Sequence, residues 1–206
     1  MFQQLFNKKT IDIRQKKLIV VIGFNKTGTT SIHRLFQSSG FKSVHWDEGK
    51  LTKKMFENAM QAKPILQGYD DKFDVFSDLV FRTDSYWCEG NALYRQIEQQ
   101  YPNALFIYNY REMDAWLESR CKHAEQLEEQ TILELHKKIL DTSDIEVIKK
   151  HWKTTRLNYE EELKEYFGSK SNLLEIDIKD VKFVEKLSIF IQANLNPEHW
   201  GLFNKT

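Results

Sequence analysis

Lys26 sits inside a loop framed by Gly23 and Gly28 and followed by Thr29, Thr30 and Ser31. One ammonium, several hydroxyls and two glycines in so short a stretch make a cradle for a phosphate-type anion. Glycine lets the backbone approach a ligand closely, and a helix opening at Thr29 aims its unbonded N–H groups and positive dipole end at the same point. A second pairing of cation and hydroxyl is Arg111 with Ser119, eight residues later. A strand-to-helix corner would carry Arg111 to the carboxyl edge of a sheet, and Ser119, about two turns into the helix, would face back toward it. For proton transfer two groups stand out. Asp78 ends a strand pattern, where a short acidic side chain also serves as a turn or cap residue. His45 ends a shorter strand pattern beside Trp46, Asp47 and Glu48; its ordinary pKa suits acid–base work, and its plainer role is packing.

The elements that must hold these groups follow from hydrophobic patterning. Leu18 to Ile22 is short, β-branched and apolar on both faces, as a strand buried in a parallel sheet is. A helix is expected from about Thr30 to Ser38, ending near Gly40, then a short strand over Phe41 to Trp46, a helix over Thr52 to Gln61 and a strand over Asp74 to Val80. Glu89 to Gln100 reads as a helix, Ala104 to Tyr110 as a strand after the turn pair Pro102-Asn103, and Arg111 to Arg120 as a helix. Ala124 to Phe167 reads as two or three amphipathic helices broken near Asp141 to Asp144, where Ser143 or Asp144 caps the second. A turn over Gly168 to Asn172, a strand over Leu173 to Ile178 and a helix over Val181 to Gln192 close the pattern. The alternation of strand and helix predicts an α/β fold: a single domain with a mostly parallel central sheet flanked by helices and ligands at the carboxyl ends of the strands.

The usual nucleotide loop reads G-x-x-x-x-G-K-[ST]. Gly23 and Gly28 keep that spacing, but Thr29 stands in the lysine position and Lys26 lies inside the loop, which argues against ordinary NTP hydrolysis. The stretch Phe24-Asn-Lys-Thr-Gly-Thr-Thr30 resembles instead the 5′-phosphosulfate loop of the sulfotransferase family, a P-loop-like fold. The Arg111 and Ser119 pair is similar to that family's 3′-phosphate element, although the chain has Arg111-Glu-Met113 where the family usually has Arg-Asp-Pro or Arg-Asn-Pro. The tail, Asn196-Pro-Glu-His-Trp200 and Gly201-Leu-Phe-Asn-Lys205, looks like the closing segment of a small branch of the family, so the likeness runs over residues 18–206.

This resemblance implies transfer of the sulfuryl group from 3′-phosphoadenosine-5′-phosphosulfate (PAPS) to a hydroxyl, or an amine, of a small-molecule, lipid or carbohydrate acceptor, with no metal required. By it Lys26 would touch the oxygen bridging phosphate and sulfate. Asn25, Thr27, Gly28, Thr29 and Thr30 would line the 5′-phosphate, and Arg111 with Ser119 would hold the 3′-phosphate. The family places its acid–base group where Asp78 or His45 stands, and Asp47 and Glu48 are outside candidates. A small-metabolite kinase and a non-catalytic nucleotide-binding protein of the same fold are the competing readings.

Composition sets the remaining bounds. Lys plus Arg and Asp plus Glu both number 30, so general nucleic-acid binding is not expected. Cys88 and Cys121 show neither metal-ligand spacing nor a disulfide framework, which points to a reducing, cytoplasmic setting. No apolar run approaches the ~20 residues needed to span a membrane. The whole of 1–206 is expected to be one sulfotransferase-like domain, with residues 1–17 a flexible polar arm carrying a short strand around Ile11 to Ile13. Oligomeric state is left open. His33, on the first helix, is expected on a solvated face, and His123, His136 and His151 on helices without a metal motif.

Overall fold

The computed structural model describes residues 16–122 and 131–201. The expected strand at Ile11 to Ile13, His123 and the closing residues 202–205 lie outside them.

Five short parallel strands, β1 (Ile19–Val21), β2 (Ser43–His45), β3 (Val75–Ser77), β6 (Leu105–Tyr110) and β7 (Leu173–Asp177), form the central sheet in the order β2, β3, β1, β6, β7. Side-chain alternation along β1 divides the core. Leu18, Val20 and Ile22 face one layer, where Phe76 and Phe106 meet Trp152, Leu163 and Phe167 of the long helix α6 (Ile145–Phe167) and Ile97 of α3 (Tyr94–Gln100). Ile19 and Val21 face the other, against Ile32, Leu35 and Phe36 of α1 (Thr29–Ser38) and Phe183, Leu187 and Ile191 of α7 (Phe183–Ile191). A sheet covered on both faces needs strands apolar on both faces, and the run from Leu18 to Ile22 has that character.

The remaining helices are α2 (Lys50–Met60), α4 (Met113–Lys122) and α5 (Ile132–Ile139). Of the two candidate caps for α6, Asp144 performs the role: its Oδ1 accepts from the Glu146 N–H at 2.9 Å. On the far side, the Trp200 ring stacks on Phe183 at 4.0 Å, and the Asn196 N–H donates to Ser39 Oγ, so the tail is fastened over α1 and α7.

Two expected elements differ. The strand over Asp74 to Val80 is two strands, β3 and β4 (Val80–Arg82), because the chain turns at Asp78, whose φ of 55° lies in the left-handed region. The helix expected from Glu89 begins later, at Tyr94. Trp87–Glu89 instead forms β5, antiparallel to β4, and a 3-10 turn over Gly90–Leu93 leads into α3. Aromatic and β-branched residues favour the extended pairing here over the helical pattern further along.

Chain direction explains where a ligand must go. From β1 the chain crosses to β2 and β3 on one side, and from β6 it crosses to β7 on the other, so the adjacent strands β1 and β6 form the switch point of the sheet. The loop after β1 carries Lys26 and the corner after β6 carries Arg111. Both are delivered to the same crevice.

Gly23 makes that closeness possible. A Cβ on Gly23 would lie 2.2 Å from both the backbone oxygen and the side-chain oxygen of Asn109 in β6. Gly23→Ala is expected to lower stability by about 1–3 kcal/mol, the usual cost of overpacking a tight contact. The check is a fall in the urea midpoint with an unchanged m value.

Candidate active site

The loop between β1 and α1 is held from below. Asn109, fully buried, donates through its amide to both the backbone oxygen and the hydroxyl of Thr27, each at 2.8 Å, and the Thr27 hydroxyl donates in turn to the Phe24 carbonyl. The Thr27 side chain is therefore committed inward, and what it can offer an anion is its backbone. From the side, the Trp116 indole donates to the Asn25 carbonyl at 3.0 Å. Lys26 has φ 67° and Gly28 φ 86°, a pair of left-handed residues that curls the loop over the start of α1. Gly28 caps that helix without a side-chain acceptor and no acidic residue occupies its first turn, so its N-terminal dipole is not neutralised locally. A carboxylate there would compete with an anionic ligand.

The charged groups gather around this loop. Burial pushes the Lys26 ammonium below its ordinary pKa, the nearby Arg111 charge pushes it further, and Asp78 opposes both. Arg111 follows β6 directly and is half-buried; its Nε is enclosed without a hydrogen-bond partner among the described residues, as is the Asn25 side-chain oxygen. Ser119 is buried on the inner face of α4.

Asp78 stands at the turn between β3 and β4. Its carboxyl is raised to about 6, chiefly by burial, against the pull of Lys26 and Arg120. One of its oxygens, Oδ1, is buried without a hydrogen-bond partner among the described residues. The other lies 3.8 Å from His45 Nε2. His45 is the centre of a small relay: Nδ1 meets Ser77 Oγ at 3.0 Å, Nε2 meets Thr30 Oγ1 at 3.3 Å, and its ring stacks on His33 with centroids 5.1 Å apart. His33 in turn meets Ser43 Oγ at 2.8 Å, so it is a half-buried partner of the relay and not the solvated side chain expected. Both imidazoles are lowered to about 4: burial is the main cause for each, with His45 and Arg34 adding to it for His33, and Arg34 for His45. At neutral pH both are uncharged, and the contact between His45 and Asp78 is not an ion pair. Asp47 and Glu48 turn elsewhere: Asp47 accepts from the Tyr69 hydroxyl at 2.6 Å and Glu48 pairs with Lys50.

Two residues of this cluster do not stand out in the sequence pattern. Glu89, at the end of β5, accepts from the Trp87 indole; its carboxyl is raised by burial while Arg120 pulls it down. Arg120 on α4 is only 2 % exposed and lies over the rings of Trp152, Trp116 and Trp87 at 4.6, 5.1 and 5.4 Å. Burial lowers it to about 10, so it stays charged. A basic residue four positions after a buried tryptophan is the available signal, because i and i+4 share a helix face. The run Arg111, Lys26, Asp78, Arg120, Glu89 thus alternates in sign except at its start, where two cations adjoin. That is where an anion of more than one charge would be stabilised most.

A family model described as a sulfotransferase domain matches residues 18–196. A comparison with curated proteins gives no significant match. The family match begins at the strand that feeds the Lys26 loop and runs past β7, taking in every strand of the sheet. The chain belongs to the sulfotransferase-domain family.

Proposed function

We propose that this chain transfers a sulfuryl group from PAPS to an acceptor hydroxyl. The observation that carries the reading is the pair of cations, Lys26 and Arg111, at the two lips of the β1–β6 switch point, in a crevice where the α1 N-terminus is left uncapped. A doubly phosphorylated nucleotide is a multiply charged anion, and the site offers it two adjoining cations, one from each side of the switch point.

The residues fit such a donor. The N–H groups of Gly28, Thr29 and Thr30 open α1 and suit the 5′-phosphate end. The enclosed Nε of Arg111 needs an acceptor, which a 3′-phosphate would supply, with Ser119 on the following helix as its hydroxyl companion. When bound, PAPS supplies a sulfuryl group activated by its anhydride bond to phosphate. Lys26 meets the charge that grows on the leaving phosphate, and the left-handed φ of 67° holds it at the crest of the loop.

Asp78 takes the acceptor proton. A carboxyl raised to about 6 is largely ionised at neutral pH, is a stronger base than an ordinary aspartate, and has an oxygen, Oδ1, without a hydrogen-bond partner among the described residues. His45, neutral and held by Ser77, positions the Thr30 hydroxyl and lies 3.8 Å from the other carboxylate oxygen; it is a positioning residue. The kinase alternative is disfavoured by Thr29, which fills the place where a kinase loop carries lysine.

These roles separate by mutation. Lys26→Ala is expected to cut transfer far more than it weakens adenosine 3′,5′-bisphosphate binding, whereas Arg111→Ala weakens that binding and leaves affinity for the nucleotide lacking the 3′-phosphate little changed. Calorimetric titration beside a transfer assay reads both, and equal binding losses in the two variants would remove the assignment.

Asp78→Asn is expected to lower kcat by about 10²–10⁴ and to abolish a rise in kcat/KM through pH about 6. The stability effect has the opposite sign. A carboxyl whose folded pKa exceeds its unfolded value contributes stability at low pH that is lost as pH rises through about 6. The Asn variant should therefore melt no lower than the parent at neutral pH. A rise in kcat/KM that persists in Asp78→Asn would place the base elsewhere.

A further inference from the structure

Lys26 on the loop after β1, Arg120 on α4 and Glu89 at the end of β5 all act on Asp78, and the last two line a pocket of about 280 Å³ beside the loop. A further neighbour is uncharged. His45 Nε2 lies 3.8 Å from Asp78 Oδ2 and 3.3 Å from Thr30 Oγ1, while Nδ1 lies 3.0 Å from Ser77 Oγ. From α1 the same ring is faced by His33, stacked on it and also neutral at neutral pH, and by Arg34; burial and the Arg34 charge keep His45 neutral.

A neutral imidazole carries one ring proton, and its neighbours decide which nitrogen holds it. Ser77 suits either. Its hydroxyl can donate to Nδ1, or it can accept from an Nδ1–H and donate to the Val44 carbonyl at 3.3 Å. The decision therefore falls on the Nε2 side, where an ionised Asp78 presents an oxygen that can only accept. A lone pair on Nε2 would face that oxygen acceptor to acceptor, whereas an Nε2–H faces it favourably and donates to Thr30 Oγ1. The Thr30 hydroxyl proton then turns away from the ring, in the first turn of α1, where the anion cradle opens. Protonation of Asp78 reverses the bias, because a carboxyl O–H turned to the ring is best met by a lone pair. The ring proton then belongs on Nδ1, Ser77 donates to Val44, and Thr30 donates to Nε2. Protons are conserved: Ser77, Thr30 and His45 keep one each, and the added one stays on Asp78.

We propose that His45 couples the charge of Asp78 to the hold on the anion: with Asp78 ionised it is the Nε2–H tautomer and aims the Thr30 O–H at the 5′-phosphate, and once Asp78 has taken the acceptor's proton the tautomer reverses and that donor is withdrawn. The coupling rests on the sulfuryl-transfer reading above, and it loosens the spent nucleotide after each transfer.

Two-bond proton–nitrogen-15 NMR of the full chain reads the tautomer directly, with the His45 ring identified by its loss in His45→Gln. At pH 8 the Nε2–H form is expected. At pH 5, below the value of about 6 for Asp78 and above the value of about 4 for His45, the Nδ1–H form is expected, and Asp78→Asn removes the change between the two. Calorimetric titration with adenosine 3′,5′-bisphosphate adds the second half. Thr30→Val is expected to bind about 10-fold more weakly than the parent at pH 8 and equally at pH 5, with Thr30→Ser behaving as the parent does. The nucleotide's own titration is common to both proteins and cancels in the ratio. If Thr30→Val does not fold, the ring spectra of the parent still decide. An Nδ1–H ring at pH 8, or one parent-to-variant ratio at both pH values, overturns the inference. A parent that ignores the bisphosphate while its ring switches as expected would uphold the coupling of His45 to Asp78 and instead remove the donor assignment.

Discussion

The contact between Asn109 and the Gly23–Thr27 turn is what the site depends on. The amide holds Thr27 by its carbonyl and its hydroxyl at once, and the approach of Asn109 to the Gly23 backbone leaves no room for a side chain. The loop cannot relax outward, so the left-handed turn at Lys26 and Gly28 persists and the start of α1 stays open. An unsupported loop would let the lysine fold back or let a side chain cap the helix. The clamp also ties β1 to β6, so the same hydrogen bonds that shape the anion cradle set its distance from Arg111. Preorganisation of this kind matters most for charge that appears only as a bond breaks, since groups already in place need not reorganise.

A second constraint is the bend at Asp78. Had the strand continued, as its apolar composition allowed, the aspartate would have pointed to one face of the sheet and been either exposed or smothered. Breaking the strand with φ 55° lets Leu79 stay in the core while Asp78 remains beside Lys26. Left-handed residues also mark the end of β2, at Trp46, Asp47 and Glu48. Strained backbone thus gathers at the carboxyl edge of the sheet on three neighbouring turns, the edge where a parallel α/β sheet binds its ligands. The surrounding strands and helices, apolar and fully packed, hold these turns in place.

Much of this was legible in the sequence, and the part that was not has a common cause. Strands β1, β6 and β7 and helices α1, α6 and α7 announce themselves through local periodicity, and the Lys26 loop through a spacing of glycines and hydroxyls that only a few backbone shapes can use. Arg111 and Ser119 stood out by a strand end and a following helix together with the family resemblance. Glu89, Arg120 and the role of His33 were hidden because their meaning is tertiary. Nothing near Glu89 says that a hairpin carries it to the pocket, and nothing near Arg120 says that Trp87 and Trp152, from distant segments, close over it. The β4–β5 hairpin was itself masked by residues that fit a helix start as well as a strand.

The same division separates the anion cradle from the pocket beside it. The cradle is assembled from strand ends next to each other in the sheet, where register fixes positions closely and an anion can be met by backbone N–H groups that any sequence supplies. The pocket beside it is lined from β5, α4, α5 and α6, so its shape and charge are set by individual residues. A buried cation is costly to fold around, and three tryptophan faces with the nearby carboxyls of Glu89 and Asp78 recover part of that cost. Its persistence on the inner face of α4, where leucine or methionine would pack with less penalty, is hard to account for by stability alone. Lys26 and, after it, Arg120 lower the affinity of Asp78 for its proton, against the burial that raises the carboxyl to about 6. One guanidinium therefore acts on two carboxyls, Asp78 and Glu89, at the seam between the anion cradle and the pocket beside it.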